Sequence, residues 1–199
     1  MLRDSLIAPS PDKELVDKLE RLANIATDVF WPDPHSTDPE ALQAVEDIQA
    51  ITGMPDYDAF YFHSLPGWSS TEAFANRAAL GDPSSSPDLT KSEIVDVLKR
   101  IAEANDDVYS DYYLRLLERS FPYADITDVI YWPDRERTSE EVAEEILHRK
   151  SLFEAGGSGA VKAHIWSLAQ AVLENADTPV WARKWAEGYL KDCLDGSPN

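Results

Sequence analysis

The chain is poor in cysteine, in positive charge and in long apolar runs, and each shortage excludes a class of protein. A single cysteine, Cys193, cannot form an internal disulfide and fits a reducing compartment. No apolar run approaches the roughly 18 residues that a membrane-spanning helix needs. The opening residues, Met1-Leu-Arg-Asp-Ser-Leu-Ile-Ala-Pro9, lack the apolar stretch of a secretory signal, so the expected address is the cytoplasm. Lysine and arginine number 18 against 37 aspartates and glutamates, a net charge of −19. A field of that sign repels nucleic acid and membrane surfaces and steers a basic partner inward. The excess is uneven: residues 1–83 carry 5 basic and 15 acidic side chains, residues 84–154 carry 9 and 17, and residues 155–199 carry 4 and 5. The same excess can also serve solubility alone.

What the chain does have is a core and a repeat. Hydrophobic residues make up 43% and aromatics 10%, enough to bury a sizeable interior. Asp58-Ala-Phe-Tyr61-Phe62 returns seventy residues later as Asp128-Val-Ile-Tyr131-Trp132. Each copy follows an apolar helical stretch and precedes a Ser/Thr-Glu helix start, Ser70-Thr-Glu72 in one and Thr138-Ser-Glu140 in the other. Spacing of this kind points to two copies of one supersecondary unit.

Helical periodicity accounts for most of the rest. Leu15, Leu19, Leu22 and Ile25 share a face over residues 12–26. Thr37-Asp-Pro-Glu40 reads as a capping box opening a helix whose inner face is Ala41, Val45, Ile48 and Ile51, stopped at Gly53-Met-Pro55. Residues 71–80 make another helix, and Gly81-Asp-Pro-Ser-Ser-Ser-Pro-Asp88 is a linker. The pattern restarts at Thr90-Lys-Ser-Glu93 with Ile94, Val97, Leu98 and Ile101, then a helix over about 107–119 turns Tyr113, Leu114 and Leu117 inward. Thr138-Ser-Glu-Glu141 caps a helix burying Val142, Ile146 and Leu147. Glu154-Ala-Gly-Gly-Ser-Gly-Ala160 reads as a flexible hinge. A last helical pair follows, one striped with Val161, Ile165, Leu168 and Val172, the other starting near Pro179 with Trp181, Trp185 and Tyr189 as core aromatics. The expected fold is all-α: four-helix units over 1–83 and 84–154, then a helical hairpin over 155–199.

A short aromatic helix with Asp-x-x-Tyr-aromatic-Pro, third in a four-helix unit after an acidic helix, resembles the colicin and pyocin immunity proteins. The second copy matches through Asp128, Tyr131, Trp132 and Pro133; the first keeps Asp58 and Tyr61 but has Phe62 and His63 in the next two places. The resemblance covers about residues 12–150, and it lacks the family's basic, glycine-containing end. It implies a non-enzymatic inhibitor of a cognate bacteriocin domain, a nuclease, with no cofactor. The short helix would supply the binding anchor and the preceding acidic helix the selectivity. The residues implied are Asp128, Tyr131, Trp132 and Pro133, with Asp107, Asp111 and Glu118 as selecting charges. In the first copy they are Asp58, Tyr61 and Phe62, with Glu46 and Asp47. Such aromatic side chains dominate interface energies because they bury large rigid area at little entropic cost, and rim charges set encounter rate and discrimination.

Other readings stand beside this one. A tyrosine on so short a helix can plug the core, and Asp128 can cap a turn beginning at Val129. A structural or adaptor protein keeping the fold without toxin binding would bury both aromatic pairs. Glu145-Ile-Leu-His148 has the Glu-x-x-His spacing of metal bundles but lacks a second copy, and His148 near a helix end would serve the helix dipole. Gly156-Gly-Ser-Gly-Ala160 lacks the Lys-Ser/Thr ending of a phosphate loop and the last glycine of a nucleophile elbow. Cys193 is expected to be inert.

Overall fold

The computed structural model describes residues 2–104, 107–131, 135–175 and 178–194. Every regular element among them is helical: α1 (Lys13–Phe30), α2 (Pro39–Thr52), α3 (Ala59–Ser64), α4 (Thr71–Leu80), α5 (Lys91–Glu103), α6 (Asp107–Ser120), α7 (Ile126–Tyr131), α8 (Ser139–Glu174) and α9 (Val180–Leu194), with short 3-10 turns at Asp4–Leu6 and Leu65–Gly67. The protein is all-α. The chain divides into two compact units, one made of Ile7–Asp82 with Asn105–Tyr112, the other of Met1–Leu6, Pro83–Ala104 and Tyr113–Asn199.

In the first unit, short polar side chains start each helix by accepting hydrogen bonds from backbone N–H groups that have no partner inside the helix. Asp12 accepts from Glu14 at 3.1 Å, Asp38 from Glu40 and Ala41 at 3.0 Å each, Asp58 from Tyr61 at 2.9 Å and Ser70 from Ala73 at 3.1 Å. The start of α2 therefore falls one residue later than the Thr37 capping box predicted. Asp38 takes the cap because Pro39, lacking an N–H, fits the first helical position. Gly53 ends α2 at φ 71°, a left-handed conformation that glycine adopts without a Cβ clash. Helix α1 packs on α2 and α4. It buries Leu19, Leu22, Ala23, Ala26 and Phe30 in one core with Ala41, Ala44, Val45 and Ile48 of α2 and Phe74 and Ala75 of α4. Each large apolar side chain there stabilises the fold by about 1.5–3 kcal/mol.

In the second unit, Thr90 and Glu93 close a capping box at the head of α5, with the Thr90 N–H donating to Glu93 at 2.9 Å. Thr138 and Glu141 do the same at the head of α8. Both were expected from the sequence. The N-terminal segment is tied in by Arg3, whose Nε donates to Glu93 at 2.7 Å and whose Nη1 donates to Asp88 at 2.9 Å. Helix α5 packs on α8. Ile94, Val97, Leu98 and Ile101 are buried, as are Tyr113, Leu116 and Leu117 of α6 and Val142, Ala143 and Ile146 of α8. Leu114 and Leu147, expected inside, are only half-buried, and Leu116 takes the inner place on α6.

The stretch read as a flexible hinge is helical on both sides of a single break. Gly157 has φ 68° and ψ −164° inside α8, so the helix stops and restarts there. Beyond it Val161, Ile165, Ala169 and Val172 are buried. Ala169 and Val172 pack with Ala182 and Ala186 of α9, flanked by Leu173, Trp185, Tyr189 and Leu190. Trp185 and Tyr189 stack at 6.1 Å between ring centroids. Alanines, more than the tryptophans, form the contact line of this hairpin, and Trp181 lies open to solvent.

Candidate functional site

Helix α7 is a six-residue element held from three sides. Phe121 is fully buried, and the Ala124 N–H donates back to its carbonyl at 2.9 Å, closing a turn after α6. Asp125 adopts φ 46°, in the left-handed region that aspartate tolerates better than most residues. The Val129 N–H then donates to the Asp125 carbonyl at 3.1 Å. Ile126 and Val129, three apart, anchor the helix in the core. From the outside, Thr127 Oγ1 donates to Glu118 Oε1 of α6 at 2.9 Å. From α8, Arg149 Nη1 donates to the Ala124 carbonyl at 2.8 Å, and Phe153 stacks on Tyr123 at 4.2 Å with planes 10° apart.

With its inner side fixed, the helix leaves Thr127 and Tyr131 exposed and Asp128 half-exposed. Tyr131 retains 49% of its surface. Asp128 lies in the first helical turn, so it does not cap a turn starting at Val129; the helix already begins at Ile126. There its carboxylate sits favourably toward the positive end of the helix dipole. Trp132 and Pro133 lie outside the described residues. Asp125 was not expected to matter. Although the residue as a whole is exposed, crowding of its carboxyl group, with a further push from the Asp128 charge, outweighs Arg149 and raises its pKa.

The other expected residues are placed as follows. The side chain of Asp107 lies outside what is described. Asp111 pairs with Arg77, with Nε and Oδ2 3.2 Å apart, within the first unit. Glu118 is occupied by Thr127. In the first copy Asp58 is the N-cap of α3. Tyr61 is half-buried among Tyr57, Phe62, Trp68 and Phe74, with centroids 4.8–5.7 Å away, and burial followed by the Tyr57 interaction pushes its pKa up to about 12. Phe62 has no exposed surface and packs edge-on to Phe74 at 5.3 Å. It is a core residue and offers nothing for a partner to touch. Glu46 is exposed, and Asp47 accepts from Gln43 Nε2 at 3.0 Å.

The Glu-x-x-His pair has another use. Glu145 Oε1 accepts from Arg149 Nε at 2.8 Å and lies 2.9 Å from His164 Nε2, while Arg137 Nη1 is 3.6 Å from its other oxygen. Burial alone would raise the Glu145 pKa, but the Arg149 and His164 interactions prevail and lower it. His148 meets His164 edge-on at 4.7 Å. It does not stand at a helix end, since the helix continues to the break at Gly157. This knot joins both segments of α8 and, through Arg149, steadies the approach to α7. Its only trace in the sequence was the Glu145/Arg149 spacing of four. Among the described residues no group of three or more His, Cys, Asp or Glu is arranged to hold a metal ion. Among them no helix is long and apolar enough to cross a membrane.

The segment that forms this site has relatives. The family described as colicin immunity protein / pyocin immunity protein matches residues 87–151. The uncharacterized protein YezA of Bacillus subtilis (strain 168) is 35% identical over 63 residues, 31% of this chain and 93% of the relative. The chain belongs to the colicin and pyocin immunity protein family. No solved structure matches it. The immunity segment runs from just before α5 to the first part of α8 and contains Asp111, Glu118, Asp125, Asp128, Tyr131 and Glu145. Residues 1–86 and 152–199 lie outside the match.

Proposed function

We propose that this protein neutralises a cognate bacteriocin or related toxin domain in the cytoplasm by binding it, and that the target is a basic nuclease. The observation that carries the reading is Tyr131: a large ring left 49% exposed at the end of a helix that is otherwise pinned down, inside the family-matched segment. Asp128 and Glu118 supply carboxylates on and beside that helix, and the chain bears a net charge of −19. A rigid aromatic centre within an acidic surround suits a lysine-rich partner, with the ring giving affinity and the carboxylates giving encounter rate and choice. Inhibition would follow from occupation: the bound acidic body keeps nucleic acid away by bulk and charge, and no bond is made or broken.

For the first copy of the phrase a structural role is favoured, because Phe62 is sealed in the core and Asp58 is spent on a cap. The test begins with the product of the neighbouring reading frame. Co-purification and calorimetry with its basic domain are expected to give a tight complex that Tyr131→Ala weakens by about 2 kcal/mol while the melting temperature stays put. An unchanged affinity in that variant removes α7 as the anchor.

A further inference from the structure

Between Arg21 and Arg77 the chain contains no lysine or arginine, against nine aspartates and glutamates. Three large rings in that stretch lie open: Trp31 at 60%, Phe60 at 55% and Trp68 at 53% exposure. Helix α3 organises them. His63 Nδ1 lies 2.7 Å from the Trp31 carbonyl and 3.1 Å from that of Phe30, and because carbonyls only accept, this nitrogen carries the hydrogen. One turn earlier on the same helix, Phe60 meets His35 edge-on at 5.4 Å. The loop after α1 is thus laid along α3, and Asp33 is fixed within it by accepting the His35 N–H at 3.0 Å. Asp33, His35 and Asp58 are all exposed.

The neighbouring residue on α3 shows what such rings take. Tyr61 meets Trp68 edge-on at 5.6 Å, and the Arg77 guanidinium sits 5.5 Å from the centre of the Trp68 ring. Here the chain supplies its own cation. An arginine over an aromatic face gains about 0.5–1 kcal/mol at an exposed site, and more once water is excluded.

We propose that the α3 face of the first unit, with Trp31, His35 and Phe60 bordered by Asp33, is a docking surface for an arginine- and lysine-rich polypeptide segment. Charge decides the occupant. A second copy of this chain, a nucleic acid or an anionic lipid surface would bring more negative charge to a stretch with no lysine or arginine. A cationic peptide brings guanidinium groups for the rings and neutralises the carboxylates. The surface uses none of residues 87–151, so it stands whether or not α7 binds a toxin.

The test uses the full chain and a fluorescent peptide of about twelve residues alternating arginine and glycine, at near-physiological salt. Replacing Trp31 and Phe60 together by alanine is expected to weaken binding about tenfold or more, and Asp33→Lys severalfold. Tyr131→Ala is expected to change it by less than about twofold. The replaced side chains are exposed and make only a loop hydrogen bond and one ring contact, so melting should shift little, and Asp33→Lys answers the question on its own should the double variant fold poorly. Undiminished binding in both variants would mean that diffuse charge alone attracts the peptide, and the proposal falls. It also falls if a serine-glycine peptide binds equally well, if Tyr131→Ala weakens binding as much, or if sedimentation shows the wild type dimerising through Trp31 and Phe60.

Discussion

In α3 the aspartate of the repeated phrase stands outside the helix and caps it, the tyrosine is the third helical residue, and the next ring is buried. In α7 the helix begins two residues before the corresponding aspartate, and the tyrosine is the last helical residue, half open to water. The rolls of the two helices differ accordingly. The core contacts of α7 come from Ile126 and Val129, whereas α3 turns Phe62 inward and lifts Phe60 out. Similar letters have been put to different work: α3 is fastened by its rings, and α7 by the residues around it, leaving its ring free. A short motif fixes which groups are available, but the anchoring on either side decides which of them faces a partner.

The sharpest way to break that contrast is to remove the ring on which α3 rests. Phe62→Ala is expected to cost about 3–5 kcal/mol, the usual range for deleting a fully buried phenyl ring. Tyr131→Ala should cost less than about 0.5 kcal/mol of stability, as for an exposed side chain. Urea titration of the two variants reads both numbers. Comparable losses would mean that the two tyrosine-aromatic phrases play the same structural part after all.

How far the sequence led can be judged at these same residues. The helices and the caps at Thr90 and Thr138 were legible because each depends on local chemistry: apolar spacing, a short oxygen-bearing side chain, a glutamate three residues on. The roll of a six-residue helix was not, since it is too short to show a periodic face and is set by distant partners such as Arg149 and Phe153. The break in α8 was visible as glycines. That only Gly157 departs from helical geometry, and that Glu145 binds His164 across it, depends on tertiary packing.

If α7 is indeed held by its surroundings, loosening them should matter more than altering the helix. Arg149→Ala would leave the largely enclosed Glu145 short of its closest cation and the Ala124 carbonyl without its donor. The expected loss is about 3 kcal/mol, as for one partner removed from a buried ion pair. Protection of the α7 amides in hydrogen exchange should fall with it, while α3 keeps its own. Uniform loss across both units would argue against a local tie.

Alkaline pH offers a gentler probe of the ring-fastened helix. The folded pKa of Tyr61 is raised to about 12 by burial, above the value of about 10 for an exposed phenol. The neutral phenol is therefore favoured by folding. Its contribution is intact below pH 10 and drains away as pH rises from there toward 12. Wild type should lose stability over that window more steeply than Tyr61→Phe, which has no proton to give. Parallel curves would place the phenol in a wetter setting than its ring contacts indicate.

The smallest effect separates the two aspartates. Asp58 accepts the Tyr61 N–H at 2.9 Å as the N-cap of α3, so Asp58→Ala should cost about 1 kcal/mol, the typical value for a lost cap. Asp128 sits inside the first turn of α7, where a carboxylate gains only the helix-dipole interaction, about 0.3–1 kcal/mol and partly screened by salt. Adding about 0.5 M sodium chloride should therefore shrink the Asp128→Ala penalty and leave most of the Asp58→Ala penalty standing, because a short hydrogen bond is less screened than a field. The binding readout should run the other way. Asp128→Ala should slow association with a basic toxin domain, and Asp58→Ala should not, since a capping carboxylate is turned toward its own helix. Should both variants slow association alike, the acidity of the whole surface, and not the placement of one carboxylate on α7, would be what guides the partner in.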